Sequence, residues 1–216
     1  MRVLYCHGLE SGPSGRKPRI LAACGYRVTS VAMPCTKSSL LWDPLFLLAG
    51  AALLGLLVAA PILLLLAPLL WLGRRRAAAL LRPLVVRRVF ARCVAAQEAA
   101  ARACRPELLV GSSFGGAVAL ELMRRGTVAC PALLLCPAHR LVAELAGQPP
   151  PAAPRGYPGR VLLVHGTADS VVPPEHSAQL AREGGWALEE APEDGHPLHR
   201  AWRVDAIKRW VAQLTE

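Results

Sequence analysis

The chain has 216 residues, the length of one domain that can bury a substantial core. Hydrophobic residues make up 53% of it, and much of the excess lies in one block, Leu40–Leu72, so the remainder resembles an ordinary globular domain. The formal net charge of +10 would suit nucleic acid, anionic lipid or an acidic substrate, but the sequence carries no nucleic-acid-binding motif, so we expect no nucleic acid as a partner.

Short apolar runs alternate along the chain with segments of helical periodicity. The runs predict six strands: Val3–Cys6, Tyr26–Ala32, Glu107–Val110, Ala132–Cys136, Arg160–His165 and Trp186–Ala191. The other segments predict helices: Arg16–Cys24, Ala77–Cys104 with a break near Pro83, Phe114–Arg125, Pro174–Glu183 and His199–Leu214. Apolar strands alternating with helices are typical of a mostly parallel, doubly wound sheet with helices on both faces. We therefore expect a single α/β domain over 1–216.

The third strand runs into a turn that predicts a nucleophile. The turn and the helix start read Gly111-Ser112-Ser113-Phe114-Gly115-Gly116, so the pattern G-x-S-x-G stands between a strand and a helix. Such a tight turn needs small residues two positions before and after the nucleophile, and the helix N-terminus favours negative charge beside the hydroxyl. We predict Ser113 as the nucleophile and the N–H of Phe114 as an oxyanion-hole donor. Ser112 is the alternative, but it lacks the flanking glycines.

Two later turns predict the residues that would activate this serine. Asp169 follows the fifth strand, at the sheet edge where ligands bind in α/β proteins, and its carboxylate can orient a histidine. His196 follows the last strand, in a turn after Gly195. The order Ser, Asp, His is the one found in α/β hydrolases. His199 competes with His196 as the base, but it stands at the start of the predicted closing helix.

The first strand ends in a loop that predicts a second oxyanion donor, the N–H of Leu9. The other histidines receive simpler interpretations. His7 is interpreted as structural, His165 as a strand-end residue, and His139 and His176 as surface residues.

The cysteines favour a reducing, cytoplasmic-type compartment. There are seven, which is an odd number, and none forms a C-x-x-C pair, so free thiols fit better than a disulfide framework. No His, Cys or carboxylate cluster in the sequence has metal-ligand spacing. We expect neither a metal nor a cofactor.

Taken together, the motifs resemble those of small bacterial-type esterases of the α/β-hydrolase superfamily. The resemblance rests on the first loop His7–Pro13, on the GSSxGG elbow Gly111–Gly116, and on HGxxDxxVP at His165–Pro173, followed by a final turn with a histidine. It covers the chain except for Ser38 to about Arg76. It implies an α/β-hydrolase fold and hydrolysis of an ester or thioester of a small molecule or lipid, without a cofactor.

Residues 38–76 depart from that pattern and predict an apolar helical insertion. Leu40–Leu72 contains 33 residues with one charge, Asp43, and three prolines interrupt it before an arginine cluster. In isolation it would predict a transmembrane helix. A single crossing would separate the first two strands from Ser113, so we expect a membrane-associated helical hairpin, re-entrant or interfacial, with both ends on one side of the membrane. The alternatives are a lid or dimer surface, or a true membrane span that would rule out a single hydrolase domain.

These observations predict a membrane-associated serine hydrolase that works through a Ser-His-Asp triad. The alternative from another class is a catalytically silent α/β-hydrolase fold that serves as a membrane-bound interaction module. A haloperoxidase-like or transferase activity on the same triad is a third hypothesis. The sequence does not indicate the acyl chain, the leaving group or the oligomeric state.

Overall fold

The computed structural model describes residues 1–9, 11–35, 51 and 67–216, and for 67–80 it describes the backbone alone. Six strands in this part of the chain form one sheet: β1 (Arg2–Cys6), β2 (Arg27–Thr29), β3 (Leu108–Ser112), β4 (Ala132–Leu135), β5 (Val161–Gly166) and β6 (Ala187–Ala191). Their order across the sheet is β2-β1-β3-β4-β5-β6, and every neighbouring pair is parallel. The carboxyl ends of the strands therefore share one edge, where ligands bind in open α/β sheets.

Helices lie between the strands along the described chain: α1 (Arg16–Ala23), α2 (Ala67–Cys104), α3 (Phe114–Arg124), α4 (His139–Leu145), α5 (Pro174–Gly184) and α6 (Val204–Thr215). Local sequence explains several of their ends. Helix α5 begins at Pro174, whose fixed φ suits the first turn, and stops before Gly185, which adopts φ 64°. Helix α6 is amphipathic, with its apolar residues on the face that packs on the sheet.

The helices cover both faces of the sheet, and the sheet divides the core into two layers. Successive strand residues point to opposite faces, so Leu4 packs in one layer while Val3 and Tyr5 pack in the other. Buried residues of α2, α3 and α5 belong to the first layer, and those of α1 and α6 belong to the second. The predicted parallel, doubly wound sheet is confirmed.

Helix α2 corrects the prediction of a break near Pro83. The helix runs without interruption from Ala67 to Cys104 and contains Pro83. Proline removes one backbone hydrogen bond and usually kinks or ends a helix. Here the later turns of α2 bury Cys93 and Val94 in the core, and tertiary packing of this kind contributes more to helix stability than local propensity.

The region before the last helix also differs from the prediction. We expected a helix from His199, but α6 begins at Val204 and His199 lies in a turn. The buried carboxylate of Asp194 explains the delay, because it accepts hydrogen bonds from the backbone N–H groups of Arg200 and Ala201 at 2.9 and 2.8 Å. The short helix α4 was not predicted at all.

Most of the predicted insertion, 38–76, lies outside the described residues. The exceptions are residue 51 and residues 67–76, which form the first turns of α2. Among the helices that the structure describes, none combines the length and the apolar character needed to cross a membrane.

Candidate active site

The three residues predicted to form a triad meet at the carboxyl edge of the sheet. Ser113 follows β3, Asp169 follows β5, and His196 follows β6. His196 Nε2 lies 2.8 Å from Ser113 Oγ, and His196 Nδ1 lies 2.7 Å from Asp169 Oδ2. One hydrogen-bonded line thus runs from a carboxylate through an imidazole to a hydroxyl.

The hydrogen-bond partners define the protonation pattern along this line. A carboxylate only accepts hydrogen bonds, so Nδ1 of His196 carries a proton and donates a hydrogen bond to Asp169. Nε2 is then free to accept the hydrogen bond from the Ser113 hydroxyl. This is the tautomer that a general base needs in order to take a proton from a serine.

Ser113 occupies a strained turn between β3 and α3. Its φ of 56° and ψ of −120° are unusual for a residue with a side chain. The neighbouring glycines make the turn sterically feasible. A Cβ at position 111 would lie 2.6 Å from Ala119 Cβ, and one at position 115 would collide with the carbonyl of Cys6. The spacing of glycine around the serine therefore follows from close backbone contacts.

Asp169 is held by donors on both of its oxygens. Oδ1 accepts the N–H groups of Val171 at 2.8 Å and Val172 at 2.9 Å, while Oδ2 faces His196. Burial acts to raise the pKa of this carboxyl, but the hydrogen bonds from Val172, His196 and Val171 outweigh it and hold the pKa below its ordinary value. The carboxylate is therefore ionised at neutral pH although its side chain is fully buried.

His165 is a second histidine on the same carboxylate, and the sequence interpretation missed this contact. Its Nε2 lies 2.9 Å from the carbonyl of Val172 and 3.1 Å from Asp169 Oδ2, and its Nδ1 lies 2.6 Å from Ser177 Oγ. Burial lowers the pKa of His165, so the ring is neutral, with its proton on Nε2 toward the two acceptors. The four-residue spacing between His165 and Asp169 was the available signal.

The two predicted oxyanion donors belong to two segments that lie next to Ser113. Phe114 is the first residue of α3 and directly follows the serine. Leu9 follows Gly8, and a Cβ at Gly8 would lie 3.3 Å from Ser113 Cβ. The first loop thus passes directly against the nucleophile. The convergence of the Leu9 and Phe114 N–H groups on one oxygen remains a prediction.

The alternative nucleophile, Ser112, and the alternative base, His199, make other contacts. The Ser112 hydroxyl accepts a hydrogen bond from Lys17 Nζ at 2.8 Å, away from His196. His199 is exposed, and its Nδ1 lies 2.9 Å from an Arg16 guanidinium nitrogen. His7 is buried between the Gly8 carbonyl and the Met33 N–H, which agrees with its structural interpretation.

The interpretation of His139 as a surface residue was wrong, because the structure buries this side chain at the start of α4. Its ring lies against His176, with 6.4 Å between ring centroids. Burial lowers the pKa of His139 to about 4, so this ring is neutral. His176 is half-buried.

One group of potential metal ligands is found among the described residues, and it belongs to this site. Ligand atoms of Cys136, Asp169 and His196 lie within 4.8 Å of one another. Burial, together with the negative charge of Asp169, raises the pKa of Cys136 to about 12, so the thiol is protonated and a poor ligand. The hydrogen bond between Asp169 and His196 also occupies the atoms that a metal would need.

Comparison with known proteins identifies the fold. Among solved structures, a candidate hydrolase of the alpha/beta superfamily from Xanthomonas campestris pv. campestris is 18% identical, with a TM-score of 0.59 and 99% of each chain covered. A Thermus thermophilus protein is 18% identical, with a TM-score of 0.60, and covers 98% of this chain and 86% of its own. A candidate non-heme bromoperoxidase from Mycobacterium tuberculosis is 14% identical, with a TM-score of 0.58, and covers 99% of this chain and 91% of its own.

The sequence itself matches no family model and no curated protein. At these identities the structural likeness bears on the fold, and the chain has the α/β-hydrolase fold. The expected fold is therefore confirmed, and the roles of the site residues are argued from their geometry.

Proposed function

We propose that this chain is a serine hydrolase that cleaves an ester or thioester of a small molecule or lipid through an acyl-enzyme intermediate. The observation that carries the proposal is the hydrogen-bonded line from Asp169 through His196 to Ser113. A strained serine, an imidazole oriented toward it and a buried carboxylate at one sheet edge fit a catalytic site better than a silent fold.

Each residue then has a defined chemical role. As Ser113 Oγ attacks the substrate carbonyl carbon, His196 Nε2 takes the hydroxyl proton, and the ionised Asp169 stabilises the imidazolium. The N–H groups of Phe114 and Leu9 stabilise the oxyanion of the tetrahedral intermediate. When the intermediate collapses, His196 returns the proton to the departing alcohol or thiol, and Ser113 remains acylated. A water molecule, deprotonated by His196, then attacks the acyl group and releases the carboxylic acid.

Labelling with a fluorophosphonate probe tests this proposal. The probe reacts with serine hydroxyls that a neighbouring base activates, and it transfers its phosphonyl group with loss of fluoride. We expect stoichiometric labelling of the native protein and no labelling of heat-denatured protein, with the modified peptide containing Ser113. Absence of labelling in a folded sample would support the silent-fold alternative, and a modified Ser112 would move the nucleophile by one residue.

A membrane surface is the second element of the proposal, and an exposed face of α2 supports it. Leu81 and Leu84 are exposed at helical spacing, with 49% and 59% of their surface accessible, and Arg82 and Arg88 are exposed beside them. Leu145 at the end of α4 is also exposed, and α4 packs against α2. Apolar side chains flanked by arginines suit an anionic lipid surface, where each basic residue contributes about 1 kcal/mol.

Co-sedimentation of the full chain with vesicles of phosphatidylglycerol and phosphatidylcholine tests this surface. We expect the double variant Leu81→Ser/Leu84→Ser to bind about tenfold more weakly, because burying one leucine contributes about 1.5–3 kcal/mol and an interfacial helix buries each only in part. Val204→Ser, which alters an exposed apolar residue on α6, is the matched control and should bind like the wild type. Equal binding of all three proteins would exclude this face as the membrane contact.

A further inference from the structure

Lys17 contacts the residue that directly precedes the nucleophile. Lys17 lies in the first turn of α1, and its Nζ donates a hydrogen bond to Ser112 Oγ at 2.8 Å. Ser112 is buried and is the last residue of β3, so it directly precedes Ser113. The contact belongs to neither the triad nor the oxyanion donors described above.

Partial burial of this ammonium carries a desolvation cost. Lysine side chains usually extend to water, but Lys17 is partly buried, with its Nζ against the buried Ser112. Burial is the main cause that lowers the pKa of Lys17 to about 8, and the charge of Arg16 acts in the same direction. The carboxylates of Asp194 and Asp169 act in the opposite direction and favour the charged amine. A partly buried cation beside the nucleophile turn calls for an explanation, because the hydrophobic core does not need the charge.

The lysine connects the segments that carry the site. Helix α1 directly follows the loop that contains Leu9, and Ser112 belongs to the strand that carries the nucleophile. The backbone carbonyl of Lys17 also accepts a hydrogen bond from Trp202 Nε1 at 3.3 Å, and Trp202 lies in the segment that follows His196. Lys17 therefore stands where the first loop, the nucleophile turn and the last loop meet.

We propose that Lys17 is a positioning residue whose hydrogen bond to Ser112 fixes the first loop against the nucleophile turn, so that the N–H groups of Leu9 and Phe114 can converge on one oxygen. This inference rests on the proposed serine hydrolase function. Lys17 does not touch the substrate, and it acts through Ser112 and the loop that precedes α1.

Two consequences distinguish this role from a purely structural one. The oxyanion develops on the way to the tetrahedral intermediate and is absent from the bound substrate, so loss of the contact should lower kcat and change KM little. The contact should also depend on the charge of Lys17, since an ammonium is a stronger donor than a neutral amine. As the pH rises through about 8, Lys17 loses its proton and kcat should fall.

Tyr5 is a further titratable neighbour of this contact, and it does not produce the same pH dependence. Tyr5 on β1 lies beside Ser112, and its side chain is buried. Burial raises the pKa of Tyr5 far above that of Lys17, so the phenol keeps its proton across the range in which the lysine titrates.

Steady-state hydrolysis of p-nitrophenyl acetate between pH 6 and 10, corrected with Ser113→Ala protein, tests the inference. We expect Lys17→Met and Ser112→Ala each to lower kcat by roughly 10- to 100-fold at pH 7, since displacements near 1 Å can cost about 10² in rate. The double variant should be no worse than the single variants. The fall in kcat near pH 8 should disappear in Lys17→Met. Arg19→Met, which alters an exposed cation on the same helix, is the control and should retain the wild-type kcat and pH profile.

An unchanged kcat in Ser112→Ala, or a wild-type pH profile in Lys17→Met, would overturn the inference. If Lys17→Met fails to fold, Ser112→Ala decides the question, because it removes the same hydrogen bond by deleting one buried oxygen. Failure of the proposed function gives a different result, since the wild-type protein would then neither hydrolyse the ester nor react with the fluorophosphonate.

Discussion

Replacing Ser113 with alanine is expected to lower kcat for p-nitrophenyl acetate by roughly 10⁴- to 10⁶-fold, because triad residues act as a unit. The variant loses the atom that would form the acyl-enzyme, while the backbone donors around it stay in place. KM should therefore change far less than kcat. Steady-state kinetics on protein with an unchanged circular dichroism spectrum would measure the effect.

Ser112→Ala is the matched control for this variant. It removes the hydroxyl of the preceding serine. That hydroxyl accepts a hydrogen bond from Lys17, whereas His196 contacts Ser113. The loss of kcat in Ser112→Ala should stay within the roughly 10- to 100-fold expected for the positioning contact. A Ser113→Ala protein that hydrolyses the ester at the wild-type rate would refute the assignment of the nucleophile.

Replacing His196 with alanine is expected to be about as severe as Ser113→Ala, whereas His199→Ala should change kcat little. His196 lies between the hydroxyl and the carboxylate, so its loss removes the only base within hydrogen-bond reach of Ser113 among the described residues. His199 is exposed and contacts Arg16. The reverse ranking in the same assay would assign the base to His199.

The asparagine variant of Asp169 refines the same test. An amide can donate a hydrogen bond to Nδ1 of His196 and so stabilise the wrong tautomer, and in serine proteases the corresponding change costs about 10⁴ in kcat. We expect Asp169→Asn to be severe at neutral pH even though the geometry is preserved. Activity close to that of the wild type would mean that this carboxylate does not orient the base.

The sequence predicted the sheet well because its central strands are buried on both faces. Such strands are continuous apolar runs, as in β3 and β5, and this pattern depends on little else in the chain. The order of the strands across the sheet leaves no such local pattern. Helix α2 was divided wrongly at Pro83, because the packing that carries the helix through a proline comes from residues distant in sequence.

The triad could be predicted from local spacing, and its supporting residues could not. The glycines around Ser113 are visible in the sequence because close backbone contacts require them. Lys17 looks like an ordinary basic residue at a helix start, since only the folded chain brings it to Ser112, 95 positions away. The burial of His139 was missed for a related reason, because the helix that begins at this residue was not predicted.

The strand order also determines when the site can exist during folding. Ser113 and His196 are 83 residues apart, and β4 and β5 lie between the strands that precede them. The hydroxyl therefore gains its base only after four parallel strands have paired, and non-local pairing of this kind is slow. Partly folded chains would hold a serine without a base, and such chains would not react with a fluorophosphonate. During refolding, the regain of probe labelling thus marks the completion of this half of the sheet, a later event than the regain of helical signal.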